Sequence, residues 1–119
     1  MFEVVIYDEK TEQFLNSLRA KLKVKTFDNI ALLEYYGNKL KKPFVESFGD
    51  GLFELRSKSL EGISRLFFTY QKDKIIIIFH GFIKKTQKTP ANELEKARKT
   101  LKEIKEKQGK NLIFSQFIF

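Results

Sequence analysis

Basic side chains cluster where an apolar segment of the chain ends. Lys84, Lys85 and Lys88 follow that segment and precede Thr89 and Pro90, a pair that is typical of a helix start. No Asp or Glu separates these lysines, so positive charge is concentrated where a strand leads into a helix. Ammonium groups in such a position can bind a phosphate. The alternative is that they are a solvated strand end, as most charge runs are.

Two arginines and the single histidine also occupy positions that could bring them together. A two-residue turn at Leu60-Glu61 would place Arg56 opposite Arg65 in an antiparallel pair. A two-residue turn at Lys72-Asp73 would in the same way place Arg65 opposite His80. The three side chains would then form one row across three neighbouring strands, although a slip of one residue in either hairpin would disperse it.

Alternation along the strands predicts that Lys58, Phe82 and Lys84 share the face of that row. Two arginines directly opposite each other are unfavourable unless an anion or a carboxylate lies between them. This favours a phosphate site. The alternative is that Glu54 and Glu61 neutralise the arginines as ordinary ion pairs. A lone histidine near the end of a buried strand is, by base rate, more often structural than catalytic.

Hydrophobic periodicity predicts an α+β domain in which an antiparallel sheet is combined with N-terminal helices and a C-terminal helix. Ile75 to Phe79 is apolar on both faces and is expected to be a central strand. Thr89 is expected to cap the last helix, whose buried stripe is Leu94, Ala97, Leu101 and Ile104, and Gly109 to end it. The predicted strands are Phe2 to Tyr7, Leu52 to Lys58, Ile63 to Tyr70 and Lys74 to Lys85, and one or two helices are predicted between Asp8 and Gly37.

Composition narrows the class of protein further. The 119 residues suit one domain, and a formal charge of +8 favours a polyanionic partner such as RNA, DNA or the ribosome surface. The chain has no cysteine, and its N-terminus resembles neither a signal peptide nor a membrane span, so we expect a cytoplasmic protein without membrane association. Neither a glycine-rich phosphate loop nor a set of metal ligands is present, so no cofactor and no metal are expected.

The C-terminal segment from Asn111 to Phe119 is strongly apolar. It is expected to be covered, because a soluble monomer that left it in water would tend to associate. One interpretation is a last edge strand of the sheet. The other is a tail that packs partly on the sheet and partly on a partner protein or a second copy of the chain.

The segment from Gly51 to Lys99 resembles the HigB type of RelE-superfamily toxins, including their phage-derived relatives. The resemblance rests on a Leu-x-Glu-Leu-Arg strand that ends at Arg56, on Arg65 and the aromatic strand after it, and above all on Phe82 to Pro90. It implies a compact domain whose sheet carries helices on one face and a basic cleft on the other. The N-terminal half agrees with this family only in layout.

The resemblance also implies a function. Such toxins belong to type II toxin-antitoxin systems, and they cut mRNA on the ribosome by attack of a ribose 2′-hydroxyl on the adjacent phosphate. A cognate antitoxin, here expected to be a helix-turn-helix protein, silences them. By resemblance, Arg56 and Arg65 would hold the phosphate, and Lys84 and Lys85 would act as a charge clamp or proton acceptor. A weaker candidate for proton transfer is His80, and the residues expected to bind RNA are Lys58, Phe82 and Lys88.

The identity of the general acid and base stays open, because the last nine residues contain no His, Lys or Arg, whereas many relatives place catalytic groups there. The alternative function is a non-catalytic basic module that binds a partner protein or a nucleic acid through the lysine cluster and the apolar tail.

Overall fold

The computed structural model describes residues 1–84, 89–109 and 117–118. The first helix begins at a capping signal that the sequence carries. Asp8 caps the first helix by accepting hydrogen bonds from the amide and the hydroxyl of Thr11, at 2.9 and 2.6 Å. The elements are β1 (Glu3–Ile6), α1 (Glu9–Asn16), α2 (Ala20–Tyr36), a short 3₁₀ turn (Gly37–Lys39), β2 (Val45–Gly49), β3 (Leu52–Ser59), β4 (Gly62–Gln71), β5 (Ile75–Ile83), α3 (Ala91–Gly109) and β6 (Phe117–Ile118).

The strands form one sheet in the order β2-β3-β4-β5-β1-β6. The α+β class and the central position of β5 agree with the sequence prediction. One pairing differs from the expected antiparallel sheet, because β1 runs parallel to β5 while the other neighbours are antiparallel. The sheet is therefore mixed. Residues of β5 are apolar on both faces because β4 and β1 flank them and helices cover both sides.

The first face of the sheet is covered by α1 and α2. Leu15, Leu22 and Leu33 from these helices are at most 1% exposed and belong to a core that includes strand residues such as Leu66. Polar contacts also attach α2 to the sheet. The hydroxyls of Thr26 and Ser64 lie 2.6 Å apart, and further along the helix Asn29 donates to Ser57 at 2.9 Å.

The second face is covered in part by α3. The predicted stripe of this helix is confirmed, since Ala97, Leu101 and Ile104 are buried against strand residues such as Phe67 and Ile77. Full burial of a leucine or isoleucine side chain, such as Leu101 or Ile104, stabilises the fold by about 1.5 to 3 kcal/mol. Because α3 covers only part of this face, the ends of β3 and β5 and the start of β4 extend beyond it.

The first hairpin has the predicted register. Ser59 pairs with Gly62 around Leu60-Glu61, and Arg56 lies opposite Arg65. The hairpin turn also contacts α2, because the Glu61 carboxylate accepts a hydrogen bond from the Leu22 amide at 2.9 Å in the first turn of that helix. Glu61 therefore caps a helix and does not neutralise the arginine pair.

The predicted register of the second hairpin is wrong. Gln71 pairs with Ile75 instead of Lys74, so the turn holds three residues, and Asp73 and Lys74 adopt positive φ angles of 65° and 59°. A bulge then adds one more residue on β5, because Phe67 pairs with His80 whereas the next residue, Phe68, pairs with Ile78.

As a result, Arg65 lies opposite Phe82, and His80 is not in its row. The two shifts together displace the pairing by two residues, so His80 and Phe82 remain on the same face as Arg65.

Two further predictions concern the last helix and the tail. Helix α3 ends at Gly109, as predicted, but it begins at Ala91, so Thr89 lies before it and is engaged elsewhere. In the tail, β6 pairs with β1. The hypotheses on its contact with a partner or a second copy concern side chains outside the described residues. Within the described part of the chain, no helix is long and apolar enough to cross a membrane.

Candidate functional site

The strands bring those predicted site residues that the structure describes together on the second face, where the cover of α3 ends. We call this region the strand-end surface. It consists of three rows across β3, β4 and β5 or the residue that follows β5: Lys58, Ile63 and Lys84; Arg56, Arg65 and Phe82; Glu54, Phe67 and His80. Phe67 and Phe82 lie partly under α3.

A carboxylate lies between the two facing arginines. Glu54 Oε1 accepts from Arg56 Nε at 2.6 Å and from an Arg65 terminal nitrogen at 3.2 Å. The second carboxylate oxygen accepts from the hydroxyl of Thr89 at 2.9 Å, and this hydroxyl in turn accepts from Arg65 at 3.3 Å. The protein itself therefore supplies an anion to the arginine pair. This agrees with the predicted alternative for Glu54 but not for Glu61, and the Glu54 carboxylate is buried instead of forming an ordinary surface ion pair.

The two arginines differ in accessibility. The side chains of Arg65 and Glu54 are both 0% exposed, so their ion pair lies inside the fold. The side chain of Arg56 is 25% exposed. Its terminal amino nitrogens have no hydrogen-bond partner among residues 1–84, 89–109 and 117–118. A phosphate that approaches the surface can therefore reach Arg56, whereas Arg65 positions Glu54.

His80 is held by its neighbours in a single orientation. Its ring stacks on Phe67 with an interplanar angle of 5° and contacts Phe82 on the same strand, with centroid distances of 6.1 and 6.2 Å. Its Nε2 lies 3.0 Å from Glu93 Oε1, and both side chains are about one fifth exposed. Glu93 also lies 3.9 Å from Lys96 Nζ. A partly exposed imidazole that is hydrogen-bonded to a carboxylate has the arrangement of a general base with its orienting group.

The remaining predicted residues contribute unequally. Lys58 and Lys84 are exposed at the two ends of one row, and Ile63 is buried between them. Phe82 is only 8% exposed and belongs to the core under α3, so it offers little surface for a base to stack on. Lys85 and Lys88 lie outside the described residues.

The model of one protein family matches most of this chain. Residues 13–102 match the family described as phage-derived protein Gp49-like (DUF891), a span that begins within α1 and ends within α3. The chain belongs to this Gp49-like family. Its members are phage-derived, toxin-like proteins. No curated protein matches the chain.

The matched span of this Gp49-like chain contains every residue of the strand-end surface. It excludes β1 and the C-terminal tail. Among the residues that the structure describes, no group of three or more His, Cys, Asp or Glu side chains is arranged to hold a metal ion. The chemistry that the described surface offers is that of guanidinium, ammonium, imidazole and carboxylate groups.

Two residues that contact the strand-end surface from the start of α3 were not predicted as site residues. Glu93 lies in the first turn of α3 and reaches His80, and Thr89 reaches the Glu54-Arg65 pair. Both contacts depend on how the start of α3 docks against the sheet. Thr89 and Pro90 indicated a helix start in the sequence but carried no information about which strand residues Thr89 and Glu93 would contact.

Proposed function

We propose that the protein is the toxin of a type II toxin-antitoxin pair and that it cleaves mRNA on the ribosome. The observation that carries the proposal is the combination, on one face of the sheet, of accessible cations with an oriented imidazole. Arg56, Lys58 and Lys84 are the cations, and His80 with Glu93 forms the oriented pair. Membership of a family of phage-derived, toxin-like proteins supports the same function.

In the proposed reaction, the 2′-oxygen of one ribose attacks the adjacent phosphorus. A bond forms between this oxygen and phosphorus while the bond from phosphorus to the 5′-oxygen of the next nucleotide breaks. The products are a 2′,3′-cyclic phosphate and a free 5′-hydroxyl. The reaction needs an acceptor for the 2′-hydroxyl proton, a donor for the leaving oxygen and positive charge near the phosphate.

His80 suits the role of proton acceptor. In the neutral tautomer whose Nε2–H donates a hydrogen bond to Glu93, the other ring nitrogen, Nδ1, has a lone pair that can accept the 2′-hydroxyl proton. The protonated ring can then return a proton to the leaving oxygen. Stacking on Phe67 holds the ring plane, so Glu93 has to control only the rotation within that plane.

The cations surround the position that a scissile phosphate would take. Lys84 directly follows β5 and lies four residues after His80, a separation of about 13 Å between Cα atoms. Arg56 lies two strands away from His80, about 10 Å across the sheet. Both side chains are long enough to extend towards a phosphate above Phe82. Their charges would stabilise the negative charge that develops on the phosphate oxygens.

The proposal includes two partners and a location. An antitoxin, which we expect to be a helix-turn-helix protein, would silence the toxin, and mRNA on the ribosome would be the substrate. The location would then be the cytoplasm.

The test is induction of the protein in growing cells, with growth and the 5′ ends of mRNA as readouts. We expect growth arrest and new mRNA ends for the intact protein. Both effects should be lost with His80→Ala and with Arg56→Ala. Lys102→Ala, which changes an exposed lysine on α3, is the control and should leave them intact. Growth arrest with an unchanged pattern of mRNA ends would show that the protein does not act as a ribonuclease.

A second candidate function is a non-catalytic basic module that binds RNA or a partner protein. The buried Glu54 favours it, because this carboxylate already occupies the space between Arg56 and Arg65 that a phosphate would otherwise take. The two functions differ in a purified system of ribosomes and mRNA. Binding without cleavage, unaffected by His80→Ala, would select the second.

A further inference from the structure

A cleft opens at the edge of the sheet, beside the strand-end surface but outside the site of the proposed reaction. Its volume is 480 Å³, and it lies between α2, the segment that leads into β2, and the last residues of β3. We propose that this cleft binds a phosphate of single-stranded RNA together with the neighbouring base, so that it holds a nucleotide beside the cleaved one. This assignment deepens the proposed function and rests on it for the identity of the RNA.

The cleft is strongly basic. Lys25, Lys42, Arg56 and Lys58 line it, and Glu46 is the single acidic lining residue. Glu46 pairs with Lys42 at 3.4 Å, and Arg56 pairs with Glu54, which does not line the cleft, at 2.6 Å. Lys25 and Lys58 have no carboxylate partner within the part of the chain that the structure describes. A concave surface lined by one sign of charge raises the local concentration of the opposite charge.

The edge of β3 adds a backbone donor to these charges. Strand β2 begins at Val45, which pairs with Leu55, and the ladder continues by one contact, in which the Arg56 amide donates to the Phe44 carbonyl at 2.8 Å. Because backbone groups alternate along a strand, the amide of Lys58 points to the same side as that of Arg56. Within the described part of the chain it has no partner there. Such an amide next to lysines is a suitable donor to a phosphate oxygen.

An apolar wall completes the cleft. The half-buried ring of Phe44 lies beside Pro43 and Ile63. Aromatic side chains stack on unpaired bases without much regard to sequence, at about 1 to 3 kcal/mol per base. The cleft volume also falls within the range of about 300 to 1,000 Å³ that small-molecule sites occupy. The basic side chains of the cleft are therefore complementary to a phosphate, and its apolar side chains are complementary to a base.

An acidic peptide that adds a strand to the sheet is a less suitable occupant. Strand addition requires a row of free backbone groups along an edge. Here the Arg56 carbonyl already accepts a hydrogen bond from Asn29 at 3.2 Å, and β3 ends at Ser59, so Lys58 alone presents a free backbone edge. One residue is too short for a strand, but it is sufficient for one phosphate.

Two residues connect the cleft with the strand-end surface. The guanidinium of Arg56 and the ammonium group of Lys58 belong to both. An RNA strand that places its scissile phosphate near His80 would cross the end of β3 and bring an adjacent nucleotide into the cleft. The cleft would thus determine which RNA segment is presented for cleavage.

The test uses the full chain and a short single-stranded oligoribonucleotide whose 2′-oxygens are methylated, so that it cannot be cleaved. Fluorescence anisotropy gives its affinity as a function of salt. Lys25→Ala combined with Lys42→Ala should weaken binding by about tenfold, and the slope of log K against log salt should become shallower by about 0.7 for each lysine that contacts a phosphate. Lys99→Ala combined with Lys102→Ala, which removes the same two charges from exposed positions on α3, should change the affinity less than twofold.

An equal effect of the paired α3 substitutions, Lys99→Ala with Lys102→Ala, and of the paired cleft substitutions would overturn the proposal, since it would show that only net charge matters. So would binding of a nucleoside monophosphate in the cleft without any contribution of these lysines to RNA affinity. Competition by an acidic peptide that exceeds competition by unlabelled RNA would assign the cleft to a protein partner. Because the oligonucleotide cannot react and no ribosome is present, a failure of the proposed catalysis would leave these results unchanged.

Discussion

Arg65 offers the sharpest test of how the surface is built. Its side chain is fully buried and binds a carboxylate, Glu54, that is also fully buried. Replacing Arg65 by methionine keeps much of its volume, but the Glu54 carboxylate then has only the Thr89 hydroxyl and the partly exposed Arg56 as donors. Breaking a buried ion pair on one side costs about 3 to 5 kcal/mol. Since domains are typically stable by about 5 to 15 kcal/mol, Arg65→Met should leave the fold marginal.

The assay is urea unfolding followed by ellipticity at 222 nm. With a urea dependence of about 1 to 3 kcal/mol per molar, the midpoint should fall by about 2 M. Glu54→Leu alone should have a comparable effect, because it removes the carboxylate that pairs with the buried guanidinium of Arg65. The double variant, Glu54→Leu with Arg65→Met, replaces both charges by apolar groups and should recover most of the loss.

The reasoning is refuted if Arg65→Met costs less than about 1 kcal/mol, or if the double variant costs the sum of the two single ones. The experiment also affects how toxicity is interpreted. A loss of toxicity in an Arg65 variant would be a stability effect until the variant is shown to fold, whereas Arg56→Ala tests contact with phosphate and leaves Glu54 bound by Arg65 and Thr89.

Three further predictions concern single contacts in the fold. A Cβ at Gly81 would lie 2.5 Å from the ring of Phe14, so Gly81→Ala should destabilise by about 1 to 3 kcal/mol in urea unfolding; an unchanged midpoint would mean that α1 packs less closely on β5. Thr89→Val should cost about 1 to 2 kcal/mol in the same assay, because one oxygen of the buried Glu54 loses its donor, while Thr89→Ser should be close to the original. Burial raises the pKa of Tyr70 from 10.0 to about 12, so the unfolded chain loses this proton first and stability should fall as pH rises from 10 towards 12. Tyr70→Phe should make that fall smaller, and an identical pH dependence in the variant would contradict the assignment.

Local sequence patterns were sufficient for most of the elements and for one of the two registers. The first hairpin followed its two-residue turn, which placed Arg56 opposite Arg65. The second register depended on positive φ angles at Asp73 and Lys74, residues without the glycine that usually marks such a turn, and on a bulge inside an apolar run. Neither feature leaves a signal in the pattern of apolar and polar residues.

The composition of the site was less predictable than its position. The arginine pair and the lysines could be placed on one face by alternation along the strands. Glu93, Thr89 and the cleft residue Lys25 come from helices or from a helix start, and their contacts with the sheet depend on tertiary docking that periodicity does not specify. The burial of Arg65, which donates to Thr89 ahead of α3, is of the same kind. The sequence therefore predicted which charged side chains share a face of the sheet, but not which of them are exposed to solvent.

The parallel pairing of β1 with β5 has a consequence for the order of assembly. The three strands that carry the site are joined by short turns, so their contacts close small loops, whereas β1 must pair with residues that lie beyond the middle of the chain. Contacts between distant segments form more slowly than local ones, because more chain entropy is lost before they are made. We expect the β3-β4-β5 unit to collapse first on the ribosome and β1 to dock afterwards. The amino-terminal strand, although it is synthesised first, would then be among the last parts of the sheet to become ordered.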